Sequence, residues 1–451
     1  MKLLYKWKSW WRSLRKFNYS VIKLGFSIFF VGFAFRLIYS QSAGFSKFPC
    51  VKYSHISPPH VDSFTPQQIT VETSPQEDIA GKCNLFIGDW IPNQGGPLYT
   101  NETCSFIADH QNCMKNGRQD TGYLYWRWNP RGCELPRLNP WRFLELMRNK
   151  SWAFIGDSIS RNHVQSLLCI LSTKMVSFYA REVDYTLCIF VNDEVEKAVE
   201  VDHDEGFKSR RWLFPSYNVS VAGIWSPFIA EAAIFDDIVT GASTSEIELH
   251  LDKLDTNWTK LFKSWDYVIF SFGKWFIRSS IYYEKNTGLG CHYCPKRNLT
   301  ELGIDFAYQK VLRNLIDYIV TSNHKGTIFY RTSAPDHFEN GEWDKGGHCR
   351  RTEPAGEGEF DLPWLNKIFR EIELEEFHRA STRASNRVNL KLLDVTPLSL
   401  LRPDGHPGPY KFFQPFSQDK NGKIINDCLH WCLPGPIDSW NDLLMEMVIN
   451  G

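Results

Sequence analysis

Net charge is what this chain has least of: 51 Lys and Arg residues are matched by 51 Asp and Glu among 451. Phosphate neutralisation needs a basic face, so the balance argues against a nucleic-acid partner. Residues 1–23 break the balance by lacking acid altogether while holding Lys2, Lys6, Lys8, Arg12, Arg15, Lys16 and Lys23. Setting those seven aside leaves 44 basic against 51 acidic residues, a net of −7 for residues 24–451. No internal repeat is present, which excludes a solenoid or propeller. Paired C-x₂-C knuckles at zinc-ribbon spacing are also missing. That leaves Cys291-His292-Tyr293-Cys294, or Cys428, His430 and Cys432, as weak zinc candidates, and no metal is expected.

No uncharged run reaches the ~20 residues usual for a membrane span. What stands near the N-terminus is Leu24 to Phe35, flanked by Lys23 and Arg36. Those two can snorkel, which stretches the apolar segment to residues 21–39. A cleaved signal peptide has a similar outline, but no A-x-A-like site follows cleanly. The expectation is therefore a retained signal-anchor, with residues 1–20 as a cytosolic basic tail and the bulk luminal. Residues 40–80, with Pro58, Pro59, Pro66 and Pro75 among Ser, Thr and Gln, read as an extended stem. The 12 cysteines fit an oxidising lumen and read as disulfides. Glycosylation sequons at Asn101, Asn149, Asn218, Asn257 and Asn298 agree with that compartment.

Residues 81–134 are dense in cysteine and aromatics and form a small stapled lobe that leans on a larger neighbour. From residue 135 strands and helices alternate. Buried-strand patterns occur at Trp152–Ile155, Tyr267–Phe270, Thr327–Tyr330 and Val388–Leu393. Helical spacing links Val164, Leu167, Leu168 and Leu171, then Tyr308, Val311, Leu312, Leu315 and Ile319, and residues 363–380 form an amphipathic helix. The β-then-α repetition implies a parallel sheet flanked by helices.

Two motifs carry chemistry. Gly156-Asp157-Ser158 falls where a strand ends and a helix begins, so free helix N–H groups lie beside the serine. Asp427-Cys428-Leu429-His430-Trp431-Cys432 supplies a histidine with a carboxylate three residues before it, on a loop stiffened by Pro434 and Pro436. Ser, His and Asp are the parts of an acyl-transferring nucleophile.

With these motifs stand Trp126-Arg127-Trp128-Asn129-Pro130, Ser158-Ile159-Ser160-Arg161-Asn162 and Arg402-Pro403-Asp404-Gly405-His406-Pro407. The last block runs Leu433-Pro434-Gly435-Pro436-Ile437-Asp438-Ser439-Trp440-Asn441. These ordered motifs, with the block from Cys83 to Cys133, cover residues 81–449 and resemble the trichome birefringence-like family of plant polysaccharide O-acetyltransferases. The resemblance implies an SGNH/GDSL-like three-layer α/β/α sandwich over residues 135–451 and a Golgi enzyme, single-pass type II, that acetylates a wall polysaccharide. Ser158 would be the nucleophile, His430 the general base and acid, and Asp427 its orienting carboxylate. Gly156, Asp157, Arg161 and Asn162 would support the oxyanion, with Arg161 reading equally as an ion-pair partner. The implied disulfides are Cys83–Cys133, Cys104–Cys169, Cys113–Cys432 and Cys349–Cys428. Cys291 and Cys294 stand open to a local pair, and Cys50 and Cys188 are unassigned.

One departure is Gly273-Lys274-Trp275, where the family commonly has G-H-W, so Lys274 and Trp275 are substrate-binding candidates. Gly290 to Cys294, Arg331 to Pro335 and Trp343 resemble the xyloglucan-acetylating branch most closely, with mannan or glucomannan as the other acceptor. The resemblance implies no bound cofactor, only an acetyl donor, acetyl-CoA or a carrier derived from it, and leaves room for a membrane protein that supplies it. An acetylesterase would use the same triad on water. A non-catalytic wall-glycan binding protein would need a dead site.

Overall fold

Trp152 and Phe154 face one side of their strand and Ala153 and Ile155 the other, and all four are buried. A strand of this kind needs cover on both faces. It is β1 (Ser151–Gly156), the middle of a seven-stranded sheet. The computed structural model describes residues 83–173, 196–233, 246–295, 297–381, 388–417 and 425–450, with the backbone of 51–52, 178–183 and 186–191. The expected tail, anchor and all of the stem but residues 51–52 lie outside the described residues, as does Cys50. Among the described residues no helix is long and apolar enough to cross a membrane.

The other strands are β2 (Val199–His203), β3 (Arg210–Phe214), β4 (Val219–Trp225), β5 (Tyr267–Ser271), β6 (Thr327–Arg331) and β7 (Asn389–Leu393). Their order is β7-β6-β5-β1-β4-β3-β2. From β7 to β4 all neighbours are parallel, whereas β3 and β2 run antiparallel at one edge. The all-parallel expectation fails there because β3 and β4 are joined by a tight turn, with Asn218 at φ 52°, and not by a helix. The chain crosses from β4 to β5 on opposite sides of β1. The C-terminal ends of those three strands therefore frame a crevice.

Helices α1 (Ser158–Leu171) and α4 (Asp438–Ile449) cover one face. There Val164, Leu167, Leu168, Leu443 and Leu444 pack on Trp152, Phe154, Ile269 and Phe329. Helices α2 (Gly303–Thr321) and α3 (Trp364–Ser381) cover the other, where Tyr308, Val311, Leu312, Leu315 and Phe369 pack on Ile155, Val268 and Phe270. Each such side chain contributes roughly 1.5–3 kcal/mol through burial. The result is an α/β/α sandwich. A four-stranded sheet, built from Ala230–Ala233, Ile247–Leu254, Ser280–Glu284 and Thr287–His292, adds to the second core. Separately, residues 51–52, 178–183 and 186–191 form a three-stranded antiparallel sheet in a unit of their own.

The lobe is an antiparallel ribbon, Gly88–Pro92 with Trp126–Pro130. Trp90 Nε1 donates to Leu398 O at 2.8 Å, and Tyr99 O–H donates to Asp438 at 2.8 Å. Disulfides join Cys83–Cys133 within the lobe, Cys104–Cys169 to α1, Cys113–Cys432 to the histidine loop and Cys349–Cys428 to that loop from the body. Cys291 is bonded to Cys294. With those two and Cys428 and Cys432 all in disulfides, no thiolate is left for the zinc readings. Asn149, Asn218, Asn257 and Asn298 are exposed and Asn101 is half-buried. Asn218 Nδ2 donates to Asn149 Oδ1 at 3.1 Å, so these two sequons lie side by side.

Glu373 of α3 is fully buried beside the end of β6. It accepts from Ser333 Oγ–H and Tyr308 O–H, each at 2.6 Å. Burial pushes its pKa from 4.5 up to about 7, against the pull of those hydrogen bonds. The folded chain therefore keeps a proton that the unfolded chain releases between these values, and its stabilising contribution falls as pH rises through that window. The whole fall is about 3 kcal/mol. Urea unfolding at pH 4 and pH 8 should show wild type losing up to that much relative to Glu373→Gln; parallel pH responses would contradict it.

Candidate active site

The site is built where β1 runs into α1. At Gly156 the backbone passes so close to β5 that a Cβ there would collide with the carbonyl oxygen of Ser271. Asp157 is the N-cap of α1, its side chain accepting from Ile159 N–H at 3.0 Å. This buried carboxyl is spent on the helix end. Burial raises its pKa, and the positive charge of buried Arg331 from β6 acts the other way. Ser158 follows as the first residue of the helix, half-buried.

The loop after Asn426 brings the partners. His430 Nε2 lies 2.8 Å from Ser158 Oγ, and His430 Nδ1 lies 2.9 Å from Asp427 Oδ2. Asp427 Oδ1 accepts from the N–H groups of Leu429 at 3.2 Å and His430 at 3.0 Å. Burial works to raise the Asp427 pKa, but the charge and hydrogen bonds of His430 carry it well below the ordinary carboxylate range. An ionised carboxylate only accepts, so Nδ1 carries the imidazole proton and Nε2 is bare toward the serine hydroxyl. Residues 272 apart in sequence thus form a continuous Ser–His–Asp relay.

The loop is held in several ways. Asn162 Oδ1 accepts from Trp431 N–H at 2.8 Å, and Asn162 Nδ2 donates to Trp431 O at 3.3 Å. With both amide atoms on that backbone, Asn162 is a clamp between α1 and the histidine loop. His406 Nδ1 lies 2.8 Å from His430 O and its ring stacks on Trp431. His337 in turn lies 2.7 Å from His406 Nε2 and 2.9 Å from Leu400 O. Two neutral imidazoles carry two N–H groups for these three contacts, so the third forms only when the pair takes up a proton. Burial pushes both pKa values down.

Arg161 makes no ion pair among the described residues, contrary to the ion-pair alternative. Its guanidinium lies over the Trp225 ring at 5.1 Å, beside the site. Lys274 is not a free cation at the cleft. Its ammonium is bound by Asp336 at 2.7 Å and Asn366 at 3.0 Å, with 10% of the side chain exposed. Trp275 meets Trp225 edge to face at 5.3 Å and lies under Arg278 at 4.2 Å, and Trp225 ends β4 opposite Gly156. Among the described residues no group of three His, Cys, Asp or Glu side chains could hold a metal ion.

Sequence reasoning passed over His110, His337 and Trp225. His110 arrives from the lobe on the turn Asp109–Gln111, its ring 5.8 Å from that of His430. The signal was present: pairing Cys113 with Cys432 puts residues 110–112 against the histidine loop.

Comparison with known proteins agrees with this geometry. The GDSL/SGNH-like acyl-esterase family found in Pmr5 and Cas1p matches residues 135–447, and the PMR5 N-terminal domain matches residues 81–134. The chain is 48% identical to trichome birefringence-like 24 of Arabidopsis thaliana, over 97% of this chain and 98% of that protein. It is 53% identical to trichome birefringence-like 23 of the same plant, over 82% and 81%. Identity to xyloglucan O-acetyltransferase 1 of Arabidopsis thaliana is 41%, over 81% of this chain and 80% of that one.

Proposed function

The chain belongs to the GDSL/SGNH-like acyl-esterase family found in Pmr5 and Cas1p, and on that footing we propose that it is a polysaccharide O-acetyltransferase acting through acetyl-Ser158. The observation that carries the reading is the relay itself, 2.8 Å from serine to histidine and 2.9 Å from histidine to aspartate. Ser158 Oγ attacks the acetyl carbonyl of the donor while His430 Nε2 takes its proton. The tetrahedral intermediate then expels the donor's leaving group, which receives that proton from His430, and acetyl-Ser158 remains. A sugar hydroxyl attacks next and gives its proton to His430. Collapse releases the acetylated glycan and returns the proton to Ser158 Oγ. Ser158 N–H and Arg161 are the donors for the oxyanion in both steps.

The donor is acetyl-CoA or an acetyl carrier derived from it. The acceptor is a wall polysaccharide, xyloglucan first and mannan or glucomannan second. Similarity to xyloglucan O-acetyltransferase 1 supports that order. Residues 21–39 anchor the chain in the Golgi membrane with the catalytic part in the lumen, where a membrane protein could deliver the donor. The test gives the full-length protein an acetyl donor with xyloglucan or mannan oligosaccharides and follows acetylation by mass spectrometry. Acetylation of xyloglucan in preference to mannan is expected. Acetylation of mannan alone would move the acceptor, and deacetylation without transfer would make the protein an esterase.

A further inference from the structure

His110 belongs to the lobe yet is delivered to the catalytic histidine with unusual firmness. Gln111 O accepts from Leu433 N–H at 2.9 Å, Asn116 Nδ2 donates to Asp109 O at 2.6 Å, and Cys113 is bonded to Cys432. Two of these ties hold the residues just after His110 against the histidine loop, and the third fixes Asp109, just before it, within the lobe. Its ring then meets His430 edge to face, with centroids 5.8 Å apart and planes at 82°. The ring is half-buried, and among the described residues no group hydrogen-bonds to it. A polar ring set this firmly beside the reacting histidine, with both nitrogens uncommitted, is suited to a ligand that both donates and accepts.

A hydroxyl is such a ligand. Burial, and then the charge of His430, lower the His110 pKa to about 4; Arg161 and Lys411 act in the same direction and Asp427 against it. His110 is therefore neutral at luminal pH, with one N–H and one bare nitrogen, and adds no charge opposing the imidazolium that forms on His430. Packing alone would be served by any flat ring.

We infer that His110 is the acceptor-binding residue: its imidazole holds the attacking sugar hydroxyl beside His430 while the acetyl group waits on Ser158. This rests on the acetyl-enzyme mechanism above. The hydroxyl oxygen forms its bond to the acetyl carbon and its proton passes to His430 Nε2. The bond to Ser158 Oγ then breaks and that oxygen recovers the proton. His110 ends with the protons it began with.

The mechanism has two half-reactions, and His110 acts in the second. Full-length wild type, His110→Phe and His110→Gln are each given acetyl donor, and acetyl-Ser158 formation is timed by quenching and mass analysis. Xyloglucan oligosaccharide is then added and acetyl transfer is timed. Phe keeps the ring packing without hydrogen bonds, and transfer should slow about 100-fold, as for a misplaced nucleophile, while acetyl-Ser158 forms within about two-fold of the wild-type rate. Gln restores an N–H and a carbonyl and should recover much of the loss. Equal slowing of both half-reactions, or transfer unaffected in His110→Phe, would overturn the assignment. Failure of wild type itself to form acetyl-Ser158 would instead overturn the mechanism on which the assignment rests.

Discussion

Ser158→Ala should abolish acetyl transfer, with a loss of at least about 10,000-fold in kcat, and leave the fold unchanged. The hydroxyl sits 2.8 Å from His430 Nε2 and makes no other hydrogen bond among the described residues. On the proposed mechanism, removing it takes away the atom that carries the acetyl group, and what remains is the catalysis of the oxyanion donors and binding alone. Ser158 is the first residue of α1, but the cap is Asp157, so alanine there costs the helix little. Thermal unfolding within a few degrees of wild type, beside a dead enzyme, is the expected pair of results. Retained transfer would move the nucleophile elsewhere.

Asp427→Asn should cost nearly as much, about 10,000-fold in kcat, through the wrong tautomer of a correctly placed histidine. The backbone decides which way the new amide turns. Oδ1 accepts from the N–H groups of Leu429 and His430, so the amide oxygen must stay there and the amide nitrogen must face His430 Nδ1. An N–H donor at that point obliges Nδ1 to accept, which moves the imidazole proton to Nε2. Nε2 then donates to Ser158 and cannot take its proton. The loss should fall on kcat and leave folding intact, since the same two backbone bonds survive. A drop below about ten-fold would show that the carboxylate orients His430 only weakly.

Parts of this were legible in the sequence for definite physical reasons. Trp152 to Ile155 read as a buried strand because both faces are apolar, and in the fold both faces are covered. The helix through Val311, Leu312 and Leu315 was legible because one stripe repeats at helical spacing. By contrast, Val199 to His203 gave no signal, because β2 is an edge strand whose Val199 and Val201 remain exposed. The four-stranded sheet was missed for a related reason: Thr287–His292 carries Gly288 and Gly290 and little apolar alternation.

At the site, the motifs named Ser158, Asp427 and His430 but could not show that they meet. That contact depends on Asn162 gripping Trp431 and on two disulfides gripping Cys428 and Cys432. Lys274 stood out as a departure from the family pattern. Its partner Asp336, which takes its charge, lies 62 residues away and was invisible to local reading. His110 and His337 meet the site only through tertiary contacts, so as isolated histidines in sequence they carried no weight.

On the proposed mechanism the acetyl group rests on Ser158 between donor and acceptor. The most direct test mixes full-length protein with acetyl donor, without glycan, quenches within one turnover and maps the mass of the proteolytic peptides. One added acetyl group on the peptide containing Ser158, absent from Ser158→Ala and discharged when acceptor is supplied, is the predicted result. Glycan acetylation in a protein that never carries acetyl on Ser158 would contradict it, and would mean direct transfer from donor to sugar.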